Sequence, residues 1–341
     1  MKKFSLSCVA ITVLLLASQF ACRAWDYEGH RYVNQLALVS LPADFPAFVK
    51  TPEAQARIAF LAGEPDRWRD TPDLNHDNAP DHYIDLEELA DYGIDEHHLT
   101  HYRYDFVAQL ALARAAHPDK FPPIDPAANR DHTRQLVGLL PWAIVDSYDK
   151  LKSAFSYLKA FQKEGTPTEV ANAEQNAIYI MGVMGHYVGD AAQPLHTTKY
   201  FNGWVGENPE GYTHEKIHSH VDGYFRNLDH ESYLAMAAKM HPAELPHEPG
   251  AKPGDTFDQV MEYILAQNKK VAPLYQLEKE GKLFGEGDAG REGKEFLSNQ
   301  LIIGGQMLGD LWYAAWQSAP EDTYLEGQLN RRKLAHGESG H

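Results

Sequence analysis

One all-α domain is the fold class the sequence predicts, and three observations carry it. Apolar residues recur at spacings of three and four through six long segments. Strict apolar–polar alternation over four to eight residues is nearly absent, which argues against a sheet of any size. No stretch is long enough, or low enough in complexity, to separate two domains.

The predicted helices follow in order. Residues 54–61 and 106–116 each carry apolar residues three and four apart, the spacing that gathers them on one helix face. Residues 134–161 carry a longer stripe that Pro141 is expected to kink or break, since proline lacks the N–H a helix interior needs. Residues 169–192, 256–268 and 292–317 complete the set. Stretches 118–129, 199–212 and 242–255 are rich in Pro, Gly or Asn and read as loops. Residues 321–341 read as a polar, frayed tail, leaving 25–320 as the domain.

Composition narrows the class. The chain of 341 residues has 31 Lys+Arg against 48 Asp+Glu, a formal charge of −17, with 43% hydrophobic and 23% charged residues. That balance excludes a disordered chain or a coiled coil. Residues 1–24 have the layout of a secretory signal: Lys2 and Lys3, an apolar run over 8–18, then small residues up to Ala24. The run is too short to span a bilayer comfortably, and no later run of about 18 apolar residues exists. A secreted or periplasmic protein without stable membrane insertion is expected. Cleavage after Ala24 removes Lys2, Lys3 and Arg23 and no acid, so the mature charge becomes −20. Cys8 and Cys22 go with the leader, and a chain starting at Trp25 has no thiol chemistry. Gln19-Phe20-Ala21 is a poor lead-in for lipidation of Cys22.

The strongest chemical signal is Gly185-His186-Tyr187-Val188-Gly189-Asp190-Ala191-Ala192-Gln193-Pro194-Leu195-His196. His186 and Asp190 are four apart, so on a helix both leave the same face and can grip one metal. Gly185 and Gly189 thin that helix. Pro194 forces its end, so His196 arrives from a turn. A core histidine beside a capping aspartate explains this segment alone, but a second pair, His218 and Asp222, repeats the spacing. His214 and His220 read as surface or supporting residues, and His97, His98 and His101 as a solvated face. Nearer the start stand Trp25, His30, Asp66 and His82, each weak alone.

Taken in order, this set resembles the trinuclear-zinc phosphoesterases: the single-strand nucleases of fungi and plants and the bacterial zinc phospholipases C. The resemblance covers most of the mature chain and implies their all-α fold. It implies three Zn²⁺. Asp66, His82, His186 and Asp190 would hold the first, and His196, His218 and Asp222 the second. The α-amine and carbonyl of Trp25, with His30, would hold the third, with Asp190 bridging it to the first. Nitrogen and oxygen donors without thiolate suit hydrolytic zinc. Signal cleavage would then create a ligand, because it frees the Trp25 amine. Arg69 matches an arginine the nucleases use on the transition-state phosphate, Asp66 is placed to orient the attacking water, and Tyr83 sits where they stack a base. Base–aromatic stacking is worth roughly 1–3 kcal/mol.

The five-residue step from Trp25 to His30 and Asp222 as last ligand resemble the nucleases; the phospholipases have a longer gap and a glutamate. Val221 departs from the tryptophan the nucleases carry there, and the fungal cysteines are missing. The aromatic loop 200–204 suits bases or lipid equally. The resemblance therefore implies a zinc-dependent hydrolase of phosphoric esters, an endonuclease on single-stranded DNA or RNA leaving 5′-phosphates, which 3′-nucleotidase activity often accompanies. A zinc phospholipase C acting on phospholipid and a non-catalytic zinc-binding protein are the alternatives. The charge of −20 argues against broad duplex binding by a basic surface, whereas bound zinc makes the pocket itself attractive to one phosphodiester.

Overall fold

The computed structural model describes residues 25–245, 255–285 and 287–335. The leader, its two cysteines and most of the 242–255 loop lie outside the described residues. Among those described there is no β-strand, only isolated bridges between Ile84 and Gly138 and between Phe201 and Gly203.

The helices are α1 (Tyr27–Ser40), α2 (Pro52–Leu61), α3 (Glu64–Trp68), α4 (Pro72–Asn78), α5 (Arg103–Ala116), α6 (Leu140–Glu164) and α7 (Pro167–Ala192). They continue with α8 (His218–Asp222), α9 (His230–Ala237), α10 (Asp255–Asn268), α11 (Val271–Lys279), α12 (Arg291–Ser318) and α13 (Thr323–Ala335). Gly165 and Thr166 alone join α6 to α7, so the two long helices run antiparallel as a hairpin. Helix α12 lies against α1, α6 and α7, and α2 closes on α1 and α7. Trp142, Phe155, Trp312 and Phe45 fill the space between them.

Six predicted helices are present with shifted ends. The break expected at Pro141 falls earlier, and its cause is Gly138. That residue has φ +97°, and a Cβ there would lie 2.0 Å from the Tyr83 carbonyl oxygen. Only glycine permits this close turn. Residues 134–139 are therefore outside the helix, and Pro141 sits in the first turn of α6, where its missing N–H costs nothing.

The expectation of a frayed tail is corrected. Residues 323–335 form α13, which docks on α6. Leu329 is buried, and Arg332 reaches Glu169 at the start of α7 through both terminal nitrogens, at 2.6 and 2.8 Å. Lys333 pairs with Glu164. Ion pairs rather than an apolar stripe hold this helix, so periodicity does not reveal it.

Helix α7 positions the site. Thr166 and Glu169 form a reciprocal capping box at its start, with Pro167 in the first turn. From Met181 to Ala192 every residue is buried, so the C-terminal half runs through the middle of the molecule. Such a segment can present polar side chains only to partners inside the protein.

Candidate metal centre

Eight side chains from six elements converge at the end of α7. His30 comes from α1, Asp66 from α3, and His82 from the short 3₁₀ turn Ala79–His82. His186 and Asp190 leave α7 one turn apart, His196 follows on the 3₁₀ turn Pro194–Thr197, and His218 and Asp222 are the ends of α8. All eight are at most 9% exposed. They form three groups whose ligand atoms lie within 4.8 Å of one another: His30, Asp66 and His186; His82, His186 and Asp190; and His196, His218 and Asp222. These triads are capable of holding metal ions.

The carboxylate of Asp190 stands at the junction. Its Oδ1 is 3.4 Å from His30 Nε2, while its Oδ2 is 3.1 Å from His82 Nδ1 and 3.5 Å from His186 Nε2. One oxygen thus faces each side, the disposition of a bridging carboxylate. Close approach makes it possible: a Cβ on Gly189 would lie 2.9 Å from His30 Nδ1.

Hydrogen bonds fix which nitrogen of several rings faces inward. His186 Nδ1 is 2.7 Å from the Ala62 carbonyl, and His196 Nδ1 is 2.6 Å from the His82 carbonyl. A carbonyl only accepts, so each Nδ1 carries the proton and each Nε2 offers a lone pair. Those lone pairs meet other imidazole nitrogens at 2.9 Å, His186 Nε2 with His82 Nδ1 and His196 Nε2 with His218 Nε2. A proton or a cation must sit between such nitrogens.

A second proton on these rings is disfavoured. Burial holds His30, His82 and His218 well below the usual imidazole range, with neighbouring histidines and Arg69 adding to the shift. Burial brings His196 down to about 3. Neutral imidazoles are the form that binds a cation. Burial likewise pushes the Asp190 and Asp222 carboxyls up, a cost that a cation among them offsets. His30 Nδ1 and Nε2, His82 Nε2 and Asp190 Oδ1 are buried without a hydrogen bond among the described residues. Buried polar atoms are normally paired, so their chemistry and placement fit a metal.

Arg69 lies against the same cluster. Its Nη1 is 3.3 Å from Asp66 Oδ1, its side chain is only 12% exposed, and its buried Nε makes no hydrogen bond among the described residues. Trp25 is fully buried. Its indole donates to the Gly189 carbonyl at 2.9 Å, and the next residue's N–H, on Asp26, donates to the Asp222 carbonyl. The Trp25 backbone thus lies between α7 and α8.

Tyr83 is not brought into the cluster by any ring contact among the described residues. It is half-buried, burial raises its hydroxyl pKa, and the charges acting on it are Asp85, Asp131, Arg134 and Glu88, none a triad member. The buried Tyr187 stands edge-on to His82 and His186, and the more exposed ring that meets the site is Phe201. It is 38% exposed and stands edge-on to His218 at 5.8 Å. Behind it Tyr200 and Trp204 stack at 4.0 Å, with Trp204 edge-on to Tyr275. His97, His98, His101, His214 and His220 are exposed and outside the triads, as their solvated reading expects.

Sequence reasoning misses the supports. Gln193 donates to Asp222, and the Ala62 and His82 carbonyls orient two rings. Asn34 ties α1 to α2 and α7 through the Ile58 and Gly182 carbonyls. Carbonyl acceptors leave no mark in a sequence. Gln193 does stand inside the 185–196 motif, which is the one available signal.

The chain matches no protein-family model, and no curated protein is detectably similar to it.

Proposed function

We propose that this protein is a zinc-dependent phosphodiesterase of the trinuclear nuclease type, cleaving single-stranded DNA or RNA to 5′-phosphate products. The observation that carries the reading is Asp190, with one oxygen toward His30 and the other toward His82 and His186, between buried triads. In this reading the ligands are Trp25, His30, Asp66, His82, His186, Asp190, His196, His218 and Asp222. Zinc held there supplies Lewis acidity, which acidifies water and offsets phosphate charge.

The chain's own groups do the rest. Arg69, whose Nε has no hydrogen bond among the described residues, offers its guanidinium fork to a phosphate oxygen and fixes that oxygen's position. Asp66, hydrogen-bonded to Arg69, is an acceptor placed to orient an attacking water. Phe201 is the exposed face on which a base can stack, a role that its contact with His218 supports better than the position of Tyr83 supports for that residue.

The test is hydrolysis of single-stranded DNA beside phosphatidylcholine vesicles by the zinc-loaded protein. Rapid DNA cleavage with intact lipid is expected. Lipid turnover without DNA cleavage would place the protein with the phospholipases, and three bound zincs with neither activity would leave a metal-binding protein of another function.

A further inference from the structure

Gln193 ends α7, starts the turn that carries His196, and is fully buried. Its backbone N–H donates to the Asp190 carbonyl at 3.0 Å, and its carbonyl accepts from the His196 N–H at 2.9 Å. Its side-chain Oε1 accepts from the Leu195 N–H at 2.6 Å, and its Nε2 donates to Asp222 Oδ1 at 3.0 Å. That Oδ1 lies 3.4 Å from His218 Nε2.

The amide orientation is chemically forced. The Leu195 N–H only donates, so the oxygen of Gln193 must face it, and the NH₂ is then the end that meets Asp222. One side chain therefore joins the backbone that follows Asp190 to the carboxylate of the third triad. We infer that Gln193 is a positioning residue for the His196–His218–Asp222 site, holding the Asp222 carboxylate in the orientation that binds its metal. The inference rests on the proposed reading of the triads as metal sites.

The restraint acts on more than one member. Ala192, the preceding residue, has its carbonyl pinned by Gln300 at 2.6 Å, so the end of α7 cannot drift to compensate. The Ile84 N–H donates to the His196 carbonyl, and the His82 carbonyl takes the His196 Nδ1–H, so the turn is fixed from the opposite side as well. Asp222 thus depends on Gln193 within an otherwise clamped turn. Outer partners of this kind usually change metal affinity by about 10–100-fold.

Gln193→Glu keeps the size and shape but sets two acceptors against the Leu195 N–H and Asp222, so carboxylate faces carboxylate. Gln193→Ala removes the donor. The experiment measures zinc content and affinity of the purified protein and both variants by elemental analysis and competitive chelation. Co²⁺ absorption is recorded beside it, with His218→Ala as the reference for loss of this one metal. Expected are retention of the other metals and a 10–100-fold weaker His196–His218–Asp222 site in both variants, with the same Co²⁺ band diminished as in His218→Ala. Adding Gln193→Ala to His218→Ala should cause no further loss. Wild-type affinity and spectrum in Gln193→Glu would overturn the inference while leaving the metal centre intact. A wild-type protein that takes up no metal would overturn the reading of the triads and this inference with it.

Discussion

In the proposed reading, Arg69 decides how a phosphate sits at the metal centre. Its guanidinium is mostly buried, one nitrogen is bound to Asp66, and Nε is unused among the described residues. Burial strengthens a charge–phosphate contact because water no longer screens it. Removing a donor aimed at developing charge costs about 10²–10³ in kcat. Arg69→Ala should therefore lose about that much kcat with zinc content unchanged, and Arg69→Lys should recover only part, since an ammonium cannot reproduce the fork. Loss of zinc from Arg69→Ala would instead mean that the residue supports Asp66. Trp25 makes a second prediction at this scale. With its indole on Gly189 and its neighbour on Asp222, its backbone is held between α7 and α8, and in the proposed reading its free α-amine is a metal ligand. A protein carrying one extra residue before Trp25 should lose the zinc on the His30 side and at least tenfold in activity. Full zinc content and activity would remove Trp25 from the ligand set.

Among the elements, α7 owes its place to glycines that let α1 approach. A Cβ at Gly185 would lie 1.6 Å from Asn34 Oδ1, and Asn34 is held by two carbonyls on its other end. Gly185→Ala should cost at least about 1–3 kcal/mol by overpacking. It should lower Tm by several degrees in calorimetry, and Asn34→Ala in the same chain should restore part of the loss. The α13 contact titrates. Arg332 holds the Glu169 carboxyl at about 2, below its ordinary 4.5. A depressed carboxylate stabilises above its unfolded pKa and loses that contribution as pH falls from 4.5 toward 2. Protection of 323–335 from hydrogen exchange should therefore fade across that window. In Glu169→Gln it should be weak at every pH, and protection that persists unchanged at pH 2 would refute the link. These elements also show what a sequence reveals. The long helices and the spacing of His186, Asp190, His218 and Asp222 are legible because their periods are strong. Helix α1 is not, because its buried face carries His30 and Asn34, polar residues that interrupt the apolar stripe for the sake of the site. Helices α3, α4 and α8 are too short for periodicity, and α13 rests on ion pairs.

Over the whole molecule, a strongly acidic chain carries buried His/Asp triads capable of holding cations. The full chain carries −17, and the chain from Trp25 carries −20; three divalent ions leave it well below zero. Among the described residues no helix is long and apolar enough to cross a membrane. For a single-stranded polyanion the two fields oppose each other at different ranges. At 0.01 M salt the Debye length is about 30 Å, so a long strand feels the repulsion of the whole protein; at 0.15 M it is about 8 Å, and only the pocket acts. A basic nuclease loses affinity steadily as salt rises, because bound counterions must be displaced less favourably. This protein should behave in the opposite sense over the first part of the range. Its kcat/KM on a long single strand should rise between about 0.01 and 0.15 M salt, chiefly through KM, while a dinucleotide substrate, too small to sample the distant charges, should respond far less. Kinetics on the two substrates across that range checks the point. A steep fall from the lowest salt on the long strand would mean that a basic track, not the metal pocket, binds the nucleic acid.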